Sequence, residues 1–513
     1  MRVGILDILS LPSGSVSETI SHFILTKQYA SVTPQAVAVW CRQLGHEVHY
    51  AAYYGVGDPG RKLPRDLDVL FVASYTQASG LAYAIGKMYR KAGTLTVIGG
   101  PHAKAFPHDC LRFFDLAVME CDKERVREIL DGHYDPGAIV SSKEPFDDLP
   151  TVEERMPEIR RTAMFRKRWR TFMSCVPMLA SMGCPYTCNF CIDWNNPYRL
   201  LPKERLVEDL KFVAKNLPGT LIAFHDPNFG VKFDQTLSVL ETLPPKQRLP
   251  YVMESSLSIL REARLERLKE TNCVAVAPGI ESWTDYSGKG GAGGRVGLEK
   301  VSHVAEHFRQ LNENVPYLQA NFIFGLDTDA GDGPVELTSE FMDRTPYVWP
   351  TFNIPVPFGG TPLYDDYLAT NRILKAMPFT FYYTPYLAFK LKHYDPASYY
   401  ERFIKLLQHC ASRDMLRRRV RSTTNWKVRT LHRVRTSFTH ALVRKCREIL
   451  GMLKSDAGFR AFHEGKSELL PAYYYAEFKR RLGAYSEFLS RDDLTPNLQQ
   501  AAKPAALPIV QLT

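Results

Sequence analysis

The sequence predicts an α/β chain in three parts: a doubly wound, Rossmann-like domain over residues 1–140, a partial (β/α)6 barrel over 172–365, and a helical C-terminal region over 366–513. A linker, 141–171, joins the first two. Three observations carry this. Strand-like apolar runs alternate with helix-like segments in two successive blocks. The strand runs are nearly continuously apolar, as parallel strands covered on both faces must be. Beyond residue 366 the strand signal stops and only helical periodicity remains.

In the first block "VGILDIL" reads as a strand, "TPQAVAVWCRQLGHE" as a helix and "VHYAAYY" as the next strand. "DVLFVASY" is a buried strand, and the helix "GLAYAIGKMYRKAG" after it stops at Gly93. "TLTVIGG" and "DLAVME" are further strands, and "DKERVREIL" is a helix. Ligands of open parallel sheets sit at the carboxyl ends of the strands. Those ends read "SYTQAS", Ser74 to Ser79, and "GGPHA", Gly99 to Ala103. The polar, proline-containing stretch "SSKEPFDDLPTVEERMPEIRR" is the linker.

The second block opens with the strand "PMLASMG". The helix "PKERLVEDLKFVAKNLPG" has a proline near its start and Gly219 just past its end. "TLIAFHD", "YVMESS", "CVAVAPGIES", "PYLQANFIFGL" and "WPTFNIPVPF" follow, with helical patterns between them. Six strands and five helices fit a parallel barrel open on one side, whose functional rim lies at the strand C-termini. "DPASYYERFIKLLQHCASRDMLRRRVR", "FTHALVRKCREILGML" and "YYYAEFKRRLGAYSEFL" then read as helices. The tail from Thr495 has little periodicity and is expected to be loosely held.

At 513 residues the chain exceeds one ordinary hydrophobic core. Asp7 interrupts the apolar start, which is not read as a secretory signal. No run approaches the ~18 apolar residues of a bilayer span. The expectation is a cytoplasmic protein, at most peripheral to a membrane. Net charge is +10, but Arg413–Arg447 alone carries +11, leaving −1 for the rest. A general nucleic-acid role is therefore disfavoured, and an anionic partner or membrane surface would meet 413–447.

Seven of the ten cysteines are scattered and read as small buried hydrophobes. Three fall within "SMGCPYTCNFCIDW": Cys184, Cys188 and Cys191, spaced C-x3-C-x2-C. Structural zinc needs four ligands. Cys175 lies across a strand and His225 has no paired ligand. Iron–sulfur clusters take about one cysteine thiolate per iron, so three on a four-iron cluster leave one iron open.

C-x3-C-x2-C after the first strand of a βα barrel resembles the radical S-adenosylmethionine (SAM) superfamily. The resemblance implies a [4Fe-4S] cluster on Cys184, Cys188 and Cys191, with the open iron chelating SAM for reductive cleavage to a 5′-deoxyadenosyl radical. It places Phe190 against the adenine. "FHDPNFGV" resembles the second-strand motif and brings Asp226 and Asn228 near the SAM amino group. "MESS" offers Glu254 and Ser256, "GIES" offers Glu281, and "FIFGLDTD" resembles the fifth-strand glycine motif at Gly325. "PVPFGGTPLYDDY" resembles the closing motif of the barrel. The glycine run 288–297 lacks Ser or Thr after its Gly-Lys and reads as a flexible loop near the site mouth.

A doubly wound domain before such a barrel resembles the B12-binding branch, the cobalamin-dependent methyltransferase-like enzymes. That implies cobalamin held near Ser74, Thr76, Ser79, Gly99, Gly100 and Glu120. The branch's Gly-Glu-Gly-Glu stretch stands here as "MECDKE", with Glu120 and Glu124, and "DILSLPSGS" replaces the Asp-x-His-x-x-Gly loop, so no histidine is offered to cobalt. The resemblance implies methylation, or another functionalisation, of an unactivated carbon of a small-molecule or lipid-like substrate. It also implies an electron donor such as flavodoxin or ferredoxin. Open alternatives are a cobalamin-free front domain with cyclisation or rearrangement chemistry, methylthio transfer to RNA, and a non-catalytic iron–sulfur sensor or electron carrier.

Overall fold

The computed structural model describes residues 1–22, 30–143, 148–162, 175–194 and 196–500. Its first sheet holds β1 (Arg2–Ile8), β2 (Glu47–Tyr53), β3 (Val69–Ser74), β4 (Leu95–Gly99), β5 (Leu116–Glu120) and β6 (Ala138–Ser141). The order is β2-β1-β3-β4-β5-β6 and every pairing is parallel. Strand β6 adds to the five strands read from the sequence. Successive strand side chains point to opposite faces. Val3, Ile5, Val69 and Phe71 therefore pack against the helices Val32–Gln43 and Lys123–Leu130. Leu6, Ile8, Leu70 and Val72 join the core on the other face, with the helix Ser79–Lys91.

The second sheet contains β7 (Cys175–Met178), β10 (Leu221–Phe224), β11 (Tyr251–Met253), β12 (Cys273–Val276) with its continuation β13 (Gly279–Glu281), β14 (Tyr317–Ile323) and β15 (Val348–Asn353). All pairings are parallel and spatial order follows chain order. Among the described residues β15 pairs only with β14 and β7 only with β10, so the barrel is open between its first and last strands. The helices Lys203–Asn216, Phe233–Leu240, Glu262–Glu270, Gly297–Asn312 and Gly333–Arg344 make the crossovers. A two-residue antiparallel ladder, β8 (Ser181–Met182) with β9 (Arg199–Leu200), closes the base of the cysteine loop.

The C-terminal region contributes the helices Pro396–Cys410, Arg413–Arg421, Trp426–Ser455, Ala457–His463 and Ala472–Leu482. It contacts both sheets. Tyr399 donates to the Phe324 carbonyl at 2.9 Å, and Arg418 reaches Asp343 at 2.7 Å. Lys87 of the first domain pairs with Asp493 at 2.5 Å. The tail departs from expectation over 495–500. Arg112 donates to the Thr495 carbonyl at 2.7 Å, Asn497 N–H to Asp109 at 2.6 Å, and Tyr364 to the Leu498 carbonyl at 2.7 Å. Backbone hydrogen bonds to fixed side chains order this segment without periodicity. Residues 501–513 lie outside the described set.

The stretch read as a linker also packs. The helix Met156–Thr162 lies against β2, and Glu158 takes a 2.5 Å bond from Arg42. Arg155 is fully buried and donates to Gln35 at 2.8 Å and to the Pro177 carbonyl at 3.2 Å. It thus joins the first domain to the first barrel strand. Residues 144–147 and 163–171 of the linker are outside the described set. Replacing Arg155 by Ala should leave Gln35 Oε1 and two backbone carbonyls without their donor and cost roughly 3 kcal/mol. A clear drop in thermal midpoint, shared by both sheets, is the expected readout.

Candidate active site

The cysteine loop is shaped by backbone constraints. Gly183 sits at φ +66°, and a Cβ there would lie 2.1 Å from the Pro197 carbonyl oxygen, so only glycine fits before Cys184. Cys184 N–H donates to Asn196 O at 3.2 Å, Cys191 N–H to Cys188 O at 3.1 Å and Trp194 N–H to Cys191 O at 2.8 Å. Cys184 and Cys188 are buried and Cys191 is half-buried, and none of the three is in a disulfide. Burial pushes the Cys191 thiol up to about 11, with Asp193 adding to the effect.

Among the described residues no three Cys, His, Asp or Glu side chains come close enough to hold one metal ion. A zinc ion at Zn–S ≈ 2.3 Å would need the sulfurs nearly in contact. An iron–sulfur cluster takes thiolates one per iron, and three soft sulfur donors on one loop are ligands of that chemistry.

Two strand ends brace the loop. Asp226, just after β10, is 3% exposed. Its carboxylate accepts from Ala180 N–H at 3.1 Å and Ser181 Oγ at 2.6 Å. Burial pushes it up to about 6 against those bonds. Asp226 is therefore committed to the chain at the foot of the cysteine loop, where the sequence placed it beside the SAM amino group. Asn228 is buried as well. Its Oδ1 accepts from Ser256 N–H at 2.9 Å and Ser256 Oγ at 3.1 Å, and its Nδ2 points at Cys184 Sγ at 3.7 Å. Ser256 and Asn228 thus come together against the loop.

The carboxylates at the ends of the third and fourth strands act on each other and share the influence of Lys289. Glu254 keeps free surface although protein surrounds it, and that enclosure raises its carboxyl, with Lys289 opposing. Glu281 sits at φ +64°, a strained backbone for a non-glycine residue. Burial pushes its carboxyl up to about 7, Lys289 pulls it down and Glu254 raises it. Gly279 makes room: a Cβ there would lie 2.1 Å from Glu281 Oε1. Lys289, in the glycine run, is desolvated, yet its charge interactions with the three cysteines and Glu281 shift its pKa upward. The run packs on Ser258, whose N–H donates to Lys289 O at 3.0 Å, and a Cβ at Gly288 would meet Tyr186 of the cysteine loop at 3.8 Å.

Phe190 stacks on Tyr286 with centroids 5.7 Å apart and planes 12° off parallel, and Tyr286 donates to Asn189 at 2.7 Å. Neither Tyr286 nor Lys289 carries a motif signal; position over the loop is what distinguishes them. Gly325, at φ +103°, has its Cβ side filled by Tyr399 and Leu391, so the C-terminal region demands the glycine there.

A cavity of about 330 Å³ lies where the two sheets meet. On one side it is lined by Asp7, Ser74, Tyr75, Gly99, Gly100 and Glu120, at the carboxyl edge of the first sheet. On the other it is lined by Ser181, Met182, Gly183, Ile192, Asp193 and Asn196 of the cysteine loop. Below the edge it continues between Ile5, Val37, Phe71, Val97 and Val118, an apolar slot at the switch point between β1 and β3. Gly100, at φ +85°, would place a Cβ 3.1 Å from Ser74 N. Glu120 pairs with Lys104 at 2.5 Å. Thr76 and Ser79 are buried but do not line this cavity. The chain leaves β3 as a 3-10 turn, Thr76–Ala78, which turns those hydroxyls inward and presents Tyr75 instead. The apolar slot can take the tail of a ligand whose bulk lies at the glycine-lined strand edge, an arrangement that suits a corrin with its nucleotide tail.

Residues 178–328 match the family model of the radical SAM superfamily. Bacteriochlorophyllide d C-8(2)-methyltransferase of Chlorobaculum tepidum is 25% identical over 358 residues, 66% of this chain and 77% of that protein. Two solved structures share the fold. The radical SAM methyltransferase TsrM from Kitasatospora setae, with tryptophan substrate and a SAM analogue bound, is 14% identical at TM-score 0.51, covering 72% of this chain and 76% of that one. The cobalamin-dependent SAM radical enzyme OxsB, with aqua-cobalamin bound, is 11% identical at TM-score 0.56, covering 97% and 82%.

Two measurements probe this geometry. Gly183→Ala should fold but fail to load iron and sulfide on anaerobic reconstitution, because its Cβ displaces the Cys184 backbone. Asp7, fully buried, is pushed from 3.8 up to about 7 by desolvation, with hydrogen bonds from Ser31 opposing. The folded chain keeps a proton that the unfolded chain has lost across that window, so this group's contribution to stability falls as pH rises from 3.8 through about 7. Asp7→Asn removes that slope: its thermal midpoint should gain on the parent protein between about pH 5 and about pH 8.

Proposed function

We propose that this chain, whose residues 178–328 match the radical SAM superfamily model, is a cobalamin-dependent methyltransferase acting on an unactivated carbon of a small-molecule or lipid-like acceptor. One observation carries the reading: the cysteine loop and the carboxyl edge of the first sheet line the same cavity. A methyl carrier held in the apolar slot and a radical source held by the cysteines would then share one enclosed space. An external one-electron donor such as flavodoxin or ferredoxin completes the scheme.

In this proposal Cys184, Cys188 and Cys191 hold the [4Fe-4S] cluster, and Gly99, Gly100 and Ser74 allow the corrin's close approach. Bound together, these groups supply one-electron cleavage of SAM and carriage of a methyl group. The remaining work falls to the chain's own side chains. Glu281 and Glu254 present carboxylates to the SAM ammonium group, and Lys289 offers a cation to the SAM carboxylate. Phe190, backed by Tyr286, gives the adenine an apolar face. Asn228 and Ser256 hold Cys184 in place, and Asp226 holds the strand end beneath it. The packed glycine run covers these side chains and limits water there, which would protect a reactive carbon radical from quenching.

The relatives frame the acceptor. The Chlorobaculum protein is a methyltransferase of bacteriochlorophyllide d. Hopanoid C-2 methylase of Rhodopseudomonas palustris shares 24% identity over 208 residues. We propose a small-molecule or lipid-like acceptor of that kind here.

Anaerobically reconstituted protein with SAM and a reductant should form 5′-deoxyadenosine, measured chromatographically. Cys184→Ala, Cys188→Ala or Cys191→Ala should each reduce it to background, while Cys175→Ala, inside β7, should preserve it. Hydroxocobalamin should bind with a change in the corrin absorbance spectrum. Gly100→Val should weaken that binding and leave 5′-deoxyadenosine formation intact. Absence of any corrin binding by protein that still cleaves SAM would replace the methyl-transfer reading with cobalamin-free cyclisation or rearrangement.

A further inference from the structure

The helix Trp426–Ser455 has two unlike faces. Val428, His432, Val443, Cys446, Ile449 and Leu453 are buried against the protein. Trp426, Arg433, His440, Arg444, Arg447 and Lys454 are exposed, Trp426 at 62%. Their spacings of seven, seven, four, three and seven residues put all six on one stripe of an α-helix. At 1.5 Å per residue the 30-residue helix makes that stripe about 45 Å long. The helix Arg413–Arg421 packs against it and adds Arg413, Arg417 and Arg421, exposed at successive turns.

The arginines of this ridge are electrostatically unanswered. Among the described residues Arg413, Arg417, Arg421, Arg433, Arg444 and Arg447 take part in no hydrogen bond or ion pair, whereas Arg418 binds Asp343 and Arg435 binds Gln319. Asp414 is the lone acid between Arg413 and Arg447. The exposed side chains of the ridge are basic, with Trp426 the one aromatic among those named, whereas single strands of nucleic acid stack on successive aromatic rings. Instead an exposed Trp stands at its end, the residue that favours the boundary between apolar and aqueous phases. No helix among the described residues is long and apolar enough to cross a membrane.

We propose that this ridge docks the protein onto an anionic lipid bilayer, with the arginines on headgroup phosphates and Trp426 in the interface. A second feature of the same helix fits that partner. Ala441, Leu442 and Lys445, on its flank, line a cavity of about 600 Å³ together with Leu9, Leu11 and Tyr75 of the first domain. Tyr75 also lines the cavity at the cysteine loop. A docked helix would therefore bring the bilayer surface next to a chamber that borders the site. The inference rests on the helical region and holds whichever reaction the site performs.

The test is co-sedimentation of the full chain with vesicles of phosphatidylcholine alone and with about a quarter phosphatidylglycerol. Binding should require phosphatidylglycerol and weaken as salt rises. Reversing Arg433, Arg444 and Arg447 to Glu together should lower partitioning roughly 100-fold. Trp426→Ala should lower it less, without changing the salt dependence. Both variants should keep the parent circular dichroism and 5′-deoxyadenosine formation, which separates failure of docking from failure of the site. The proposal is overturned if phosphatidylglycerol vesicles do not bind, if the triple reversal leaves binding unchanged, or if duplex DNA or RNA binds more tightly at equal salt.

Discussion

The buried carboxylate of Asp226 is the constraint from which the candidate site hangs. It gathers Ala180 N–H and the Ser181 hydroxyl onto the end of β10, and so fixes the turn between the first barrel strand and the cysteine loop. Leaving those donors unmatched inside the barrel would cost about 1–3 kcal/mol each. With the foot fixed, Gly183 makes the only turn that clears Pro197, and the three cysteines follow in a short loop tied to itself by backbone bonds. Asn228, two residues beyond Asp226, carries the same bracing to Cys184 and Ser256. One strand end thus positions both the loop and its nearest neighbour.

The second requirement is that two parallel sheets present their carboxyl edges to each other. A flexible tether alone would not hold them. Arg155 reaches from the first domain to β7, and the C-terminal region touches both units through Tyr399, Lys87–Asp493 and the segment 495–500. Burying a guanidinium is expensive unless every donor is used, which makes Arg155 a specific rather than a generous fastener. The cavity between the sheets exists because these contacts hold its walls at a set separation.

Inside the barrel the charges are arranged rather than neutralised one for one. Glu254, Glu281 and Lys289 act on one another there, and the backbone at Glu281 is held at positive φ. Strained backbone and perturbed charges of this kind cluster at functional sites. The outer ridge follows a different logic. Its arginines face water, where their desolvation costs nothing until a partner arrives.

Much of this was legible in the amino-acid order. Alternation of apolar and polar residues is local, so the two parallel sheets, the open six-stranded barrel and the helical end could all be read from it. The cysteine spacing is also local, and it marked the loop and its chemistry at once. What tertiary structure decided were matters of direction and distance. The turn after β3 sends Thr76 and Ser79 inward and Tyr75 outward, a choice made by packing against the helix that follows. Asp226 looks like a ligand-facing residue in the sequence and is claimed by Ser181 in the fold. Lys289 and Tyr286 lie nearly one hundred residues from the cysteines and gain meaning only when the chain folds over them. The sequence by itself determined the elements and the type of chemistry, because periodicity and ligand spacing are encoded in neighbours. The fold decided which side chains remain free for that chemistry, because freedom depends on hydrogen bonds made by residues far away.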